Sequence, residues 1–113
     1  MGIKSFLTLP FAKFIVFKNN RWKKNALVFQ EKIMLDLLLR AKNTVFGKDH
    51  FFSKIKTYGD FKKHVPLRDY EGLKKYIDQV VKKGEKNILW PGKPIYFCKT
   101  SGTTSGVKYI PIS

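Results

Sequence analysis

A short stretch of small residues near the end of the chain, residues 100–106, constrains the fold most, because apolar runs lie on both sides of it. It contains five hydroxyl-bearing residues and two glycines in the order Thr-Ser-Gly-Thr-Thr-Ser-Gly. The flanking runs 95–98 and 107–110 are mostly β-branched or aromatic, which is typical of strands. Glycine readily adopts the positive φ angles that tight turns require. The pattern therefore predicts a β-hairpin over residues 95–113, with the glycine-rich stretch as its turn.

The same composition is typical of loops that bind phosphate groups. Glycines let backbone amides point towards a ligand, hydroxyl groups add hydrogen-bond donors, and Lys108 adds a positive charge. A Walker loop is excluded, because it needs the lysine directly after the last glycine and a helix behind it. Here Val107 separates Gly106 from Lys108, and a strand is expected to follow. On composition alone, an ordinary flexible hairpin turn remains the alternative.

The order of the residues makes the motif more specific. Thr-Ser-Gly-Thr-Thr at 100–104, with a lysine four positions later, resembles the phosphate-binding motif of the adenylate-forming superfamily, which includes acyl-CoA synthetases, luciferases and peptide-synthetase adenylation domains. The common form continues with glycine, any residue, proline and lysine, whereas this chain has Ser-Gly-Val-Lys at 105–108. Together with Lys-Tyr-Ile-Pro at 108–111, this departure is more similar to the auxin-responsive-promoter family of acyl-acid amido synthetases, which join carboxylic acids such as plant hormones to amino acids. Three more segments agree with that family: TVFGK at 44–48, FKKHVPLRDY at 61–70 and GEKNILWPG at 84–92.

The resemblance implies an α/β fold, that of the large N-terminal domain of an adenylate-forming enzyme. It also implies ATP and Mg²⁺ as cofactors and a carboxylic acid and an amino acid as substrates. The carboxylic acid becomes an acyl-adenylate, and loop donors stabilise the negative charge that builds on the leaving phosphates. Carried over position by position, the phosphate-binding residues are Thr100, Ser101, Gly102, Thr103, Thr104, Ser105, Gly106 and Lys108. The resemblance identifies no catalytic residue and no metal ligand in this segment, and Val107 stands in place of the superfamily's proline before Lys108.

The sequence before the loop predicts a mainly α-helical segment, which the resemblance makes part of one adenylate-forming domain. Helices are expected over residues 3–18, 20–43, 57–65 and 69–83, and a loop over residues 48–56. In the second helix apolar residues recur every three or four positions, which predicts a buried stripe: Trp22, Ala26, Phe29, Ile33, Met34, Leu37, Leu38 and Ala41. The first helix is expected to cover a larger domain through apolar residues such as Phe11 and Phe14.

Several helix ends have recognisable signals. Asn19 or Asn20 is a candidate N-cap of the second helix, Thr57 and Asp60 form a capping-box pattern, and Asp69 is a candidate N-cap of the last helix. Gly84 is expected to end that helix. The last helix is interpreted as structural.

Charge and cysteine content bear on partners and location. The net charge is +15, which alone suggests nucleic acid or an anionic membrane surface, but the lysines are scattered and only three arginines occur. We therefore expect no nucleic-acid partner. The apolar run at the N-terminus contains Pro10 and Lys13 and has no cleavage site, so neither export nor stable membrane insertion is expected. A single cysteine, Cys98, rules out an intrachain disulfide and agrees with a cytoplasmic protein.

Other reactive residues give weaker signals. His50 and His64 show no metal-ligand spacing, so they are interpreted as surface histidines. Cys98 lies beside the loop without an identifiable base, and a buried strand cysteine is the expected role.

Because family members continue well beyond a loop of this kind, the chain is expected to be the N-terminal fragment of an enzyme. By itself it is expected to aggregate or stay partly molten, and to lack ATP–pyrophosphate exchange. Two alternatives remain: an acyl-CoA ligase with the same loop and a thiol acceptor, or a small basic protein that binds nucleic acid or membranes.

Overall fold

The computed structural model describes residues 3–102 and 106–113 of the chain. As the sequence predicts, this part is mainly helical and ends in a two-stranded antiparallel hairpin. Its elements, in chain order, are α1 (Ile3–Lys24), α2 (Ala26–Ala41), α3 (Val45–Asp49), one turn of 3-10 helix (Phe52–Lys54), α4 (Tyr58–His64), α5 (Tyr70–Val81), β1 (Tyr96–Lys99) and β2 (Tyr109–Ile112). The chain divides into two compact units, an N-terminal unit (Met1–Ile33) and a C-terminal unit (Met34–Ser113).

The N-terminal unit consists of α1 and the first half of α2. The predicted helix start at Asn19 or Asn20 is wrong, because α1 continues through both residues to Lys24. The interruption lies at Asn25, whose side-chain amide donates to the Arg21 carbonyl at 3.1 Å and whose backbone N–H lies 3.2 Å from the Trp22 carbonyl. The physical reason is that asparagine is an N-cap only where the residue itself has a non-helical backbone. Its low helix propensity alone is not enough to end a helix.

Large apolar side chains of the N-terminal unit are mostly exposed. They include Leu9, Phe11, Phe14, Ile15, Val16, Phe17, Trp22, Leu27, Val28 and Ile33. The buried stripe predicted on α2 is therefore only partly correct. Leu38 and Ala41 are buried and Met34 is half-buried, whereas Leu37 is exposed. Periodicity shows which side chains share a helix face, but burial also needs a surface for that face to pack against.

The core lies in the C-terminal unit and has two clusters. One consists of Leu38, Ala41, Phe52 and Ile55, and the other of Tyr76, Val80 and Ile88. Phe46 packs against both clusters. Its ring lies edge-on to the rings of Phe52 and Tyr76, with centroids 5.7 Å and 5.0 Å away. This side chain therefore joins the two halves of the core.

Two short helical elements occupy most of the region expected to be a loop at residues 48–56. Thr44 caps α3: its hydroxyl accepts from the Gly47 N–H at 2.9 Å and donates to the Ala41 carbonyl at 2.7 Å. The Val45 and Phe46 N–H groups donate to the carbonyls of Asn87 and Ile88, at 2.9 and 3.0 Å. These bonds satisfy the first-turn donors of a helix. They join α3 to a segment more than 40 residues away, which no local sequence signal predicts.

The helix signals further along the chain are confirmed. Thr57 and Asp60 form a reciprocal capping box at the start of α4, and the Asp69 carboxylate accepts from the Gly72 N–H at 2.9 Å. Gly84 follows α5 with φ of 66° and donates its N–H to the Val80 carbonyl at 3.1 Å, which is the bond of a left-handed C-terminal cap.

Candidate phosphate-binding loop

The glycine-rich stretch lies between β1 and β2, at the turn of the predicted hairpin. The strands pair Tyr96 with Ile112 and Lys99 with Tyr109. One step further, the Thr100 N–H donates to the Lys108 carbonyl at 3.0 Å, and the Lys108 N–H donates to the Thr100 hydroxyl at 3.1 Å. The Thr100 side chain thus replaces a backbone acceptor, and residues 100 and 108 close the base of the loop.

Both glycines of the stretch adopt conformations that favour glycine. Gly102 has φ of 68° and Gly106 has φ of 79°. A Cβ atom on Gly102 would lie 3.0 Å from the Gly106 carbonyl carbon and 3.0 Å from the Val107 nitrogen. The two sides of the loop therefore approach so closely at Gly102 that a side chain there would require the backbone of Gly106 and Val107 to shift.

The structure brings together five of the eight predicted phosphate-binding residues. Thr100 and Lys108 pair at the base, Gly102 contacts Gly106 across the loop, and Ser101 is exposed between them. The predicted donors Thr103, Thr104 and Ser105 lie outside the described residues. The base of the loop is thus defined by contacts on both sides.

A tyrosine on α5 contacts the loop's second strand. The Tyr70 hydroxyl accepts from the Tyr109 N–H at 3.0 Å and lies 3.5 Å from the Tyr109 carbonyl oxygen. The Lys108 ammonium group lies 5.6 Å from the centroid of the Tyr70 ring, within the range of a cation–π contact. Sequence analysis missed Tyr70, because the contact joins residues 39 positions apart and the helix start there is explained by Asp69 alone.

The charges around the loop differ in how they are balanced. Lys74 on α5 pairs with Glu71 at 3.3 Å, and Lys82, directly after α5, pairs with Asp78 at 2.9 Å. Lys108 is half-buried and forms no ion pair with any described residue. It is therefore a positive charge that an anion at the loop can approach.

Two clefts adjoin this region. One, of about 280 Å³, lies between the charged side of α5 and residues Gly106, Val107 and Tyr109. The other, of about 440 Å³, is mostly apolar and is lined by α5, residues 88–90 and β2, with Arg68 and Ser113 among its polar residues. Tyr70 lines both clefts.

Two interpretations of reactive residues need correction. His50 is buried rather than on the surface: its Nδ1 lies 2.8 Å from the Phe46 carbonyl oxygen, and its ring stacks on Phe46 with centroids 4.0 Å apart. Cys98 is exposed rather than buried. All four residues of β1 are exposed, so a place in this strand does not bury the cysteine.

Two searches of the described residues concern metals and membranes. Residues 3–102 and 106–113 contain no group of three or more His, Cys, Asp or Glu side chains that could hold a metal ion. Among the same residues, no helix is both long enough and apolar enough to cross a membrane.

Comparison with protein families identifies the chain. The family model described as the GH3 family N-terminal domain matches residues 18–113. The chain therefore belongs to the GH3 family, the family of auxin-responsive acyl-acid amido synthetases, which confirms the resemblance seen in the loop and its neighbouring segments. No curated protein and no solved structure matches the chain.

Proposed function

We propose that this chain is the ATP phosphate-binding part of an acyl-acid amido synthetase, an enzyme that adenylates a carboxylic acid and transfers the acyl group to an amino acid. Membership of the GH3 family supports a ligase-type parent enzyme. The observation that carries the proposal is the closed base of the glycine-rich loop, with left-handed glycines at 102 and 106 and a lysine at 108 that forms no ion pair with the described residues. We also propose that the enzyme is cytoplasmic, because ATP is abundant in the cytoplasm.

The loop fits a polyphosphate in three respects. Gly102 and Gly106 have positive φ angles, and glycines in that conformation can turn backbone amides towards an anion. Ser101 is an exposed hydroxyl donor beside Gly102. Lys108 is a positive charge without a carboxylate partner in the described structure.

These residues have a defined role in the proposed reaction. When a carboxylate attacks the α-phosphorus of ATP, negative charge builds on the β- and γ-phosphates that leave. Donors already held in place stabilise that charge without reorganisation, which lowers the barrier. We assign this role to Thr100 to Gly106 and Lys108, with Thr103 and Thr104 as additional hydroxyl donors. The proposal assigns no residue of this chain to Mg²⁺.

The first test is ATP–pyrophosphate exchange in the protein expressed from its complete open reading frame, with a panel of carboxylic acids. We expect exchange that depends on a carboxylic acid. Replacement of both Thr103 and Thr104 by alanine, or the change Lys108→Gln, should lower kcat/KM by a factor of about 10². Both variants should show this decrease in exchange activity while their far-UV circular dichroism spectra stay unchanged.

Lys86→Gln is the matched control, because Lys86 is exposed and its replacement removes the same charge outside residues 100–108. It should exchange at the rate of the unsubstituted protein. Equal activity in Lys86→Gln and Lys108→Gln would disprove the role of Lys108, and full activity in the double threonine variant would disprove that of the loop hydroxyls. Supplying an amino acid or coenzyme A as acceptor then separates an amido synthetase from an acyl-CoA ligase. Residues 1–113 alone are expected to show no exchange.

A further inference from the structure

We propose that Tyr70 is a positioning residue for the phosphate-binding loop: its hydroxyl holds the outer edge of β2, and its ring holds the ammonium group of Lys108. This inference rests on the proposed function, which makes the loop and Lys108 the phosphate site. It adds a residue from another element, α5, to a site that the sequence places entirely within residues 100–108.

The hydrogen-bond pattern of the hairpin explains why the backbone N–H and C=O groups of Tyr109 are not bonded to β1. In an antiparallel pair, successive residues turn their N–H and C=O groups alternately towards the partner strand and away from it. Lys108 turns its groups towards β1, because its carbonyl accepts from Thr100 and its N–H bonds to the Thr100 hydroxyl. Tyr109 therefore turns its groups to the outer edge of β2.

The Tyr70 hydroxyl occupies the place that a third strand would take at this edge. It accepts from the Tyr109 N–H at 3.0 Å, which is an ordinary hydrogen-bond length, while its 3.5 Å distance to the Tyr109 carbonyl oxygen is long. A hairpin of two strands is only marginally stable by itself. A bond from α5 next to the base of the loop therefore restricts the position of residues 108 and 109.

The ring of Tyr70 acts on the adjacent residue. The Lys108 ammonium group lies 5.6 Å from the ring centroid, and no described carboxylate competes for it. A cation over an aromatic face keeps its charge available, since the ring does not neutralise it as a carboxylate would. Tyr70 thus restricts a flexible side chain without cancelling its attraction for phosphate.

Tyr58 provides a matched control on α4. It is also the first residue of its helix, and the Lys62 ammonium group lies 5.1 Å from its ring centroid. In the part of the chain that the structure describes, however, its hydroxyl makes no hydrogen bond to a strand. Changes at Tyr58 therefore repeat the loss of a tyrosine beside a lysine without disturbing the hairpin.

The experiment measures binding of inorganic tripolyphosphate by calorimetry, in the protein expressed from its complete open reading frame. Tyr70→Phe keeps the ring and loses the hydrogen bond, so the dissociation constant should rise about three- to tenfold. Tyr70→Leu also loses the ring, which should add about another two- to fivefold. Tyr58→Phe and Tyr58→Leu should bind as the unsubstituted protein does.

Two further measurements separate positioning from general stability. If Tyr70 acts through Lys108, the change Lys108→Gln should weaken binding less in the Tyr70→Leu background than in the unsubstituted protein. The Tyr109 amide should exchange with solvent faster in Tyr70→Phe, whereas amides in the middle of α5 should keep their rates. Additive effects of the two substitutions, or unchanged exchange at Tyr109, would overturn the inference.

The outcomes for this inference and for the proposed function differ. If the unsubstituted protein does not bind tripolyphosphate, the proposed function fails. If it binds, and Tyr70→Leu binds equally well, the proposed function stands and the role of Tyr70 is refuted.

Discussion

The N-terminal and C-terminal units have similarly apolar helices but differ in burial. Among residues 8–102 and 106–113, every buried side chain lies in the C-terminal unit. That unit is built from short helices joined by tight connections, which bring several faces together around Phe46. The N-terminal unit has one helix of 22 residues, about 33 Å long, followed by the first half of α2. We infer that apolar residues in a helical pattern form a core only where capped helix ends and turns fold the chain back on itself.

The largest effect that tests this comparison is expected at Tyr76. Its side chain is 1% exposed, it donates to the Asp49 carboxylate at 2.7 Å, and its ring contacts Phe46. Tyr76→Ala should lower the free energy of local unfolding by about 3–5 kcal/mol, because it leaves a cavity in the core and removes the hydrogen bond to Asp49. Hydrogen exchange of the α5 amides measures this change.

Phe14→Ala is the matched aromatic deletion in the N-terminal unit, where Phe14 is 60% exposed. The free energy measured by exchange of the α1 amides should change by no more than about 0.5 kcal/mol. Similar losses in the two variants would contradict the division into a buried and an exposed unit.

The second prediction concerns two glycines within helices of the C-terminal unit. A Cβ atom on Gly47 would collide with the Ala41 carbonyl oxygen, so Gly47→Ala should destabilise α3 by about 1–3 kcal/mol. In α4, a Cβ atom on Gly59 would meet only the Thr57 hydroxyl oxygen, at 3.5 Å. Gly59→Ala should therefore stabilise α4 by up to about 1 kcal/mol, since alanine is the better helix former.

Exchange of the α3 and α4 amides measures both glycine variants. Changes of the same sign would show that the tight packing at α3 is not what requires glycine there. The two variants together test whether close backbone packing, rather than helix propensity, stabilises the C-terminal unit.

The smallest effect is expected from the pH dependence of α4. The hydrogen bond from the Lys56 N–H has the largest effect on the pKa of Asp60. Together with hydrogen bonds from Thr57, it lowers this pKa below its ordinary value of 3.8. Because this pKa is lower in the folded than in the unfolded chain, the stabilisation is fully present above about pH 4 and is lost as the pH falls through the folded-state value. Exchange protection of the α4 amides should decrease over that range.

Asp60→Asn provides the control, because its amide side chain does not titrate. In that variant, protection of α4 relative to intrinsic exchange should be constant across the same pH range. The N-terminal unit has Glu31 as its one acidic residue, so α1 should show no comparable acid-dependent loss. A persistent pH dependence of α4 in Asp60→Asn would contradict the assignment to this carboxylate.

Local signals predicted the ends of α4 and α5 and the hairpin. Thr57, Asp60 and Asp69 act on backbone groups three residues away, so their role can be read from short stretches of sequence. The same approach was wrong at Asn19 and Asn20, where nothing in the neighbouring sequence ends the helix. It also missed α3, whose first N–H groups are satisfied by residues 87 and 88.

In the candidate site, too, contacts between neighbouring residues were predicted and contacts between distant residues were not. The motif at residues 100–108 predicted the site residues, and five of them lie together at the base of the loop in the structure. Binding of phosphate by them remains a prediction. Tyr70 could not be predicted, because its bond to Tyr109 depends on how α5 packs against β2.

The sequence by itself determined the elements with local causes: capped helices, a glycine-rich turn between two apolar strands, and membership of a family that shares this motif. Only the tertiary structure decided which apolar residues are buried, that His50 lies in the core while Cys98 is exposed, and that the Tyr70 hydroxyl bonds to Tyr109. The physical reason is range. Caps and turns are bonds between residues a few positions apart, whereas burial and the contacts at Phe46 and Tyr70 depend on elements that meet only when the chain has folded.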